Sequence, residues 1–289
     1  MFGGLAVRNQ LVCHGYSDTR GRVRLLSAAT GSLQGEWGFG GEGKGFADVG
    51  GLCLDRDSNV YVADPEGGVV RRFSLFGTPL GRLGTPRAGR SHREFRDARG
   101  VLHHPNDLVL DEAGNLFVCC GDRPMRHAVQ SFSPEGKYRF SFRAFGEPLE
   151  EWGLPMGIAL AGDKLYVADT FNQCVQVFFL DGTFQMMFST CPRPGERSLP
   201  VAVGVRPDGN ILVAQWKERP ALLLFNPSGW FLGEILSAGK EDGKIFAPAA
   251  LDLDGEGGLF LLDRGGERVQ RFDGDLGLRW SVLAGEGGA

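Results

Sequence analysis

Residues 154–182 read LPMGIALAGDKLYVADTFNQCVQVFFLDG and contain three short strand-like runs separated by turn residues. The runs cover 158–160, 165–167 and 175–178. Each run is rich in β-branched or aromatic residues and is bounded by Gly, Asp or Asn, a pattern typical of short strands joined by tight turns. The stretch therefore predicts a small antiparallel sheet.

Looser copies of this stretch recur along the chain. The middle run has counterparts at 10–13, 59–64, 115–118, 210–214 and 258–263. The third run has counterparts at 70–73, 128–132, 222–225 and 269–272, and a fourth, more polar run follows each, as at 138–142. The period is about 46–56 residues, in the range over which one four-stranded propeller blade recurs.

These residues resemble the NHL repeat family of β-propellers. The family pattern runs P-x-G-I-A-x-D-x-x-G-x-L-Y-V-A-D-x-x-N-x-R-V-Q-V-F, and residues 155–178 match nearly all of it. The resemblance covers essentially the whole chain and implies an all-β, six-bladed propeller with four antiparallel strands per blade. The first unit lacks the Pro-x-Gly opening, and the fifth unit has Gln215 where the family has Asp. Propellers host many unrelated activities, so the resemblance carries a fold and no function.

We expect one domain over residues 1–289, because a closed ring of blades buries its core only when every blade is present. The expected blades are 3–41, 42–84, 101–150, 151–195, 196–240 and 241–285, with an insertion at 85–100. The first and last units each have their own fourth strand, near 33–37 and 278–283. Ring closure without a strand shared between the two ends is therefore expected.

Composition limits the partners and the location. The net charge of −4 disfavours a general nucleic-acid binder, which is usually basic. No apolar run approaches the length of about 20 residues that a membrane span needs, so no membrane partner is expected. The first ten residues, MFGGLAVRNQ, have neither a basic region nor a long apolar core, so no secretion signal is expected there. The six cysteines lack metal-ligand spacing, and we predict a reducing, cytoplasmic setting with no cofactor or metal.

One face of the predicted ring collects candidate binding residues. The loops from the second to the third strand of a blade, and the connections from one blade to the next, emerge on this face, which we call the loop face. The insertion at 85–100 falls there and holds five arginines: Arg87, Arg90, Arg93, Arg96 and Arg99. Other exposed-loop candidates are Arg123, Arg126, Trp216, Lys217 and Arg219. The forked donors of arginine suit carboxylate or phosphate.

These residues support more than one hypothesis. They predict a protein partner with an acidic surface, and Trp216 is the expected anchor residue. A second hypothesis is RNA binding, which some NHL propellers perform through a basic surface of this kind. A third is a solvated loop whose arginines pair with neighbouring acids such as Glu94 and Asp97.

The entrance to the central channel suggests a catalytic alternative. Residues His103, His104, Asn106 and Asp107 resemble the P-N-D stretch of gluconolactonase-type propellers, in which channel Asn, Asp and Glu residues hold a divalent cation. Hard cations need several converging oxygens. At the equivalent openings this chain has Met156, Val201 and Ala249, whose side chains supply none. We therefore predict a non-catalytic scaffold for protein–protein interaction, with a lactonase-like hydrolase or lyase as the alternative.

Overall fold

The computed structural model describes residues 3–17, 21–38, 49–85, 99–121, 128–142, 153–216 and 220–283. These residues form six antiparallel sheets of four strands each, and within each sheet the strands follow chain order. The predicted fold class, an all-β six-bladed propeller, is confirmed.

The strands are short, as a blade requires. The first two blades comprise β1 Leu5–Arg8, β2 Leu11–Ser17, β3 Gly21–Ser27, β4 Leu33–Gly38, β5 Leu52–Leu54, β6 Val60–Asp64, β7 Val69–Phe73 and β8 Pro79–Leu83. The next two comprise β9 Pro105–Leu110, β10 Leu116–Cys120, β11 Ala128–Phe132, β12 Tyr138–Phe142, β13 Pro155–Ala161, β14 Lys164–Asp169, β15 Cys174–Phe179 and β16 Phe184–Ser189. The last two comprise β17 Pro200–Val205, β18 Ile211–Gln215, β19 Ala221–Phe225, β20 Phe231–Leu236, β21 Pro248–Leu253, β22 Leu259–Asp263, β23 Arg268–Phe272 and β24 Leu278–Leu283.

The first strand of every blade lines the centre of the ring. Strands β1, β5, β9, β13, β17 and β21 neighbour one another in a closed circle. The core lies between blades, because alternate residues of the middle strands face opposite neighbours. Cys119 and Cys120 show this: Cys119 packs with Ile158 of the fourth blade, whereas Cys120 packs with Tyr61 of the second. All six cysteines are free thiols.

The ring closes without a strand shared between its ends, as expected. The first and last blades each keep four strands of their own. Two side chains of the last blade cross the seam between them. The Asp252 carboxylate accepts a hydrogen bond of 2.7 Å from the backbone N–H of Val7, and the Trp280 indole donates one of 2.9 Å to the carbonyl of Ala28. An apolar cluster that includes Leu5 and Phe260 fills the space between the blades.

The Trp280 contact repeats inside the ring. Trp37, on the fourth strand of the first blade, donates a hydrogen bond of 2.8 Å to the carbonyl of Leu75, in the turn after the third strand of the second blade. In both cases a glycine with positive φ, Gly31 or Gly77, lies against the indole, and a Cβ there would approach ring atoms to 3.0 Å or less. The seam is therefore joined by the same side-chain contact that joins two consecutive blades.

Candidate functional site

Aspartates at the ends of the second strands fix the backbone of the loop face. Asp263 accepts hydrogen bonds from the backbone N–H groups of Phe246 and Ala247, at 3.1 and 2.7 Å, and pairs with the buried Arg268. Asp169 accepts one of 2.7 Å from the backbone N–H of Gly153. Each carboxylate ties the connection entering a blade to the loop that leaves its second strand, so these aspartates are structural.

The fifth blade makes the same tie with a different side chain. Gln215 stands at the aspartate position, and its side-chain oxygen accepts a hydrogen bond of 2.8 Å from the hydroxyl of Ser198, in the incoming connection. The next residue, Trp216, donates its backbone N–H to the carbonyl of Leu199 at 2.9 Å. The departure from the family pattern therefore leaves the loop fixed.

Three large aromatic side chains stand exposed on this fixed framework. Phe171, Trp216 and Phe246 belong to the loop face of the fourth, fifth and sixth blades and are 37%, 46% and 42% exposed. We call them the loop-face aromatics. The ammonium of Lys240 lies over the Phe246 ring, 4.7 Å from its centroid. Backbone ties hold Trp216 and Phe246, so their side chains are offered from rigid positions.

Most of the predicted basic residues lie outside the described residues. They are Arg87, Arg90, Arg93, Arg96, Arg123, Arg126, Lys217 and Arg219. Arg99 is described and exposed. At the base of the insertion the backbone N–H of Thr85 bonds to the carbonyl of Gly100 at 2.9 Å. The basic surface therefore stays a prediction from the sequence, and among the described candidates only Trp216 joins the loop-face aromatics.

Asn106, in the stretch that suggests the catalytic alternative, is occupied by structural hydrogen bonds. The buried Asn106 amide donates to the carbonyls of Gly121 and Pro155, at 3.0 and 2.9 Å. Its oxygen lies 2.9 Å from Nδ1 of His104, and His103 is buried beside it. Since Pro155 opens the fourth blade, the Asn106 side chain links two blades and all of its polar atoms are in use.

Asp107 also links neighbouring blades. Its two oxygens accept backbone N–H groups, one from Leu108 at 2.9 Å and one from Ile158 of the next blade at 3.0 Å. Asp252 does the same across the seam, with Leu253 and Val7. Burial raises the pKa of Asp107 to about 7 and that of Asp252 to about 6, while the N–H donors oppose the shift. Both carboxyls therefore act as clamps between inner strands.

The described residues offer no assembled metal site. Within the described ranges, no group of three or more His, Cys, Asp or Glu side chains converges. Met156, Val201 and Ala249 occupy the positions after the opening prolines, equivalent to Asn106, so the side chains there add no oxygen ligand.

A cavity occupies the half of the central channel that lies away from the loop face. It has a volume of about 780 Å³ and is lined by the inner strands from Asp107 and Asp252 down to Arg8. It opens on the face opposite the loop face, where first strands turn into second strands, and we call this the turn face. A second cavity of about 540 Å³ adjoins it and shares Arg8 and Leu54 with it.

Comparison with known proteins agrees with the sequence pattern. The mouse and human proteins called NHL repeat-containing protein 3 are 24% and 22% identical to this chain over 227 and 226 residues. Each match covers 75% of this chain and 63% of the relative, so the chain spans less than two thirds of the length of the curated relatives it matches. These relatives support an NHL-type β-propeller family for this chain. No family model matches it.

Solved structures share the propeller fold at low identity. A streptogramin B lyase superposes with a TM-score of 0.66 at 12% identity, covering 97% of this chain and 82% of the lyase. A gluconolactonase from Xanthomonas campestris gives a TM-score of 0.58 at 17% identity, covering 91% of this chain and 83% of the enzyme. A chain of a nidogen/laminin complex gives 0.65 at 16% identity, covering 94% and 93%. Enzymes and a chain of a protein complex thus share this propeller fold, and the fold alone does not choose between their functions.

The described part of this propeller contains no helix that could span a lipid bilayer.

Two kinds of residue were missed from the sequence. Phe171 follows the Asp that ends a second strand, and Phe246 precedes the Pro that opens a first strand. A search for large apolar residues close to these two repeat positions would have found both. Arg8 ends the first inner strand, within the most degenerate copy of the repeat, where no comparison with the other copies marks it.

Proposed function

We propose that this NHL propeller is a non-catalytic scaffold that binds another protein through its loop face. The proposal rests on the loop-face aromatics, Phe171, Trp216 and Phe246. They lie on three consecutive blades, and large aromatic side chains concentrate binding energy at protein interfaces. Backbone ties at Trp216 and Phe246 reduce the entropy that these residues lose on binding.

The charges near these aromatics favour a partner with an acidic rim around an apolar centre. Lys240 covers the Phe246 ring, and the sequence places Lys217, Arg219 and the insertion at 85–100 in loops of the same face. Cationic rims steer association and make its rate depend on salt. The expected partner surface therefore carries Asp and Glu side chains around one or two apolar pockets.

The alternatives have less support. The lactonase-like hypothesis needs Asn106 and Asp107 as cation ligands, but every polar atom of the Asn106 side chain is in a hydrogen bond to a neighbouring group. Met156, Val201 and Ala249 stand at the equivalent positions of three other blades, and their side chains supply no oxygen ligand. RNA binding rests on arginines outside the described residues, against a net charge of −4. Both alternatives stay predictions.

The proposal is tested by affinity capture with matched variants. The tagged chain is used to capture proteins from the source organism, in parallel with Trp216→Ala, Phe246→Ala and Trp230→Ala. Trp230 is the control, because it is 74% exposed and lies in the turn between β19 and β20, on the turn face. We expect one partner to be retained by the wild type and Trp230→Ala and lost by Trp216→Ala and Phe246→Ala. Retention of the same partner by all four proteins would contradict a loop-face docking site.

A further inference from the structure

Arg8 is a cation at the mouth of the channel cavity, and the described part of the chain gives its guanidinium no partner. It is the last residue of β1, and it lines both the 780 Å³ cavity and the 540 Å³ cavity on the turn face. Among the described residues its guanidinium makes no hydrogen bond or ion pair, and its Nε is shielded from solvent. Shielding a charged donor without a partner is costly, so Arg8 lacks an acceptor that a ligand could supply.

Four acids line the second cavity with Arg8; Glu112 pairs with Arg56, Asp57 is exposed, and Asp55 and Asp111 are engaged by other groups. Asp55 pairs with Arg72 and accepts both N–H groups of Asn59. Asp111 accepts the backbone and side-chain N–H groups of Asn115.

Across the channel the cavity is also lined by Arg206, which pairs with Asp208 at 3.5 Å and donates a hydrogen bond of 2.7 Å to the carbonyl of Gly274. Asp254 pairs with Arg271 and accepts the backbone N–H of Gly258. Lys164 and Asp163 also line the rim and balance each other in charge. Of the described arginines that line the two cavities, Arg56, Arg72 and Arg206 are each in an ion pair and Arg8 is not.

The walls and the deep end of the cavity define the rest of a ligand. Leu54, Leu110 and Leu160, on the first strands of the second, third and fourth blades, line both cavities and form apolar walls. At the deep end, each oxygen of Asp107 and Asp252 accepts one backbone N–H. Each of these oxygens can therefore accept a further hydrogen bond from a ligand.

The strand register sets the length of such a ligand. The Asp252 carboxylate accepts hydrogen bonds from the backbone N–H groups of both Leu253 and Val7, so these two residues lie at the same height along the channel. Asp252 is therefore level with Ala6, two residues before Arg8. At a rise of about 3.3 Å per residue, the carboxylates and the start of the Arg8 side chain are separated by about 7 Å.

We propose that the turn-face half of the channel binds an elongated small organic acid. Its carboxylate pairs with Arg8, its apolar body lies between the leucines, and a hydrogen-bond donor at its far end reaches Asp107 and Asp252. The cavity volume of about 780 Å³ is in the range of small-molecule sites, which combine apolar walls with a few convergent polar groups. This site lies on the opposite face from the proposed docking surface, so either proposal can fail without the other.

The test uses three probes that differ only at their ends. 6-Aminohexanoate carries a carboxylate and an ammonium, hexanoate lacks the ammonium, and hexylamine lacks the carboxylate. Isothermal titration of the full chain is expected to show 6-aminohexanoate binding at least about tenfold tighter than either partial probe, since each end adds a charge-assisted hydrogen bond. The Arg8→Met variant is expected to bind 6-aminohexanoate no more tightly than it binds hexylamine.

The matched control is Arg56→Met. Arg56 lines the 540 Å³ cavity on the same face but is exposed and pairs with Glu112 at 3.6 Å. The Arg56→Met variant should bind 6-aminohexanoate with the affinity of the wild type. An unchanged melting temperature without ligand shows that Arg8→Met is folded, and Arg8→Lys, which keeps the charge, should retain part of the affinity. Equal affinity of the wild type and Arg8→Met for 6-aminohexanoate, or no binding of any probe by the wild type at millimolar concentration, would overturn the proposal.

Discussion

His14 predicts a loss of stability in acid that one substitution should remove. This histidine lies on β2, is 1% exposed and has no hydrogen-bond partner on either ring nitrogen among the described residues. By strand alternation it shares the face of Val12, which packs against the last blade, so it sits in the seam that closes the ring. Burial, and then the nearby positive charge of Arg24, lower the pKa of His14 to about 4, while Glu36 opposes the shift.

The sign and size of the effect follow from linkage. The folded pKa of about 4 lies below the ordinary value of 6.5, so the unfolded chain binds more protons between these values. The stability contributed by neutral His14 is complete above pH 6.5 and is lost as pH falls toward 4. A shift of about 2.5 pKa units corresponds to about 3 kcal/mol. The clamps Asp107 and Asp252, whose pKa values are raised, act with the opposite sign, so a comparison with a variant is needed to isolate His14.

The assay compares the wild type with His14→Leu by urea unfolding at pH 7.5, 6.0, 5.0 and 4.5. At pH 7.5 we expect the free energy of unfolding of His14→Leu to equal or exceed that of the wild type by about 1 kcal/mol, because two unpaired polar atoms leave the core. At pH 4.5 the variant should be more stable than the wild type by a further 2–3 kcal/mol or so, close to the full linkage value. Parallel curves for the two proteins over this range would refute the assignment of a neutral, buried histidine at the seam.

Four further substitutions test the links between blades. Asn106→Ala should lower the free energy of unfolding by about 2–4 kcal/mol, measured by urea titration, because it leaves buried groups without partners; a cost below about 0.5 kcal/mol would contradict a structural role. Trp280→Phe removes one indole hydrogen bond at the seam and should cost about 1 kcal/mol, the same as Trp37→Phe inside the ring; a much larger loss of melting temperature for only one of them would show that the two contacts are not equivalent. Asp252→Ala frees the N–H of Val7, and its cost should be largest below pH 4 and shrink as pH rises through about 6, since the raised pKa of Asp252 means that its contribution declines as it ionises. A cost that grows with pH over this window would reverse the sign and contradict the burial of this carboxyl.

Repetition explains how much of the fold could be predicted. Each blade is specified by its own residues, so the copy at 154–182 located the strands of the other blades, and the fourth strands near 33–37 and 278–283 already indicated a closure without a shared strand. The contacts that hold the blades together could not be predicted in this way. Asn106 bonds to a carbonyl 49 residues away and Asp252 to an N–H 245 residues away, and neither partner carries a side-chain signal.

The candidate site was predicted only in part, for a related reason. Trp216 could be named because it follows a recognisable second strand, but the exposure of Phe171 and Phe246 depends on how the connections fold over the blade ends. At the channel entrance, Asn106 and Asp107 match an enzyme motif in type and spacing. Their hydrogen bonds, however, are set by backbone groups that the motif does not contain. Side-chain identity predicted the chemistry that is available, and backbone geometry determined how it is used.

We propose the loop face as the docking surface of this propeller. This proposal is tested most directly by the dissociation constant of the captured partner for two double variants. Trp216→Ala/Phe246→Ala removes two loop-face aromatics, and Trp230→Ala/Phe76→Ala removes two aromatics that are more exposed but lie in turns of the turn face. Two anchor residues together contribute about 3 kcal/mol or more to binding. We therefore predict that the dissociation constant rises at least about 100-fold for Trp216→Ala/Phe246→Ala and changes by no more than about twofold for Trp230→Ala/Phe76→Ala. A loss of affinity in the second variant and not in the first would contradict the claim.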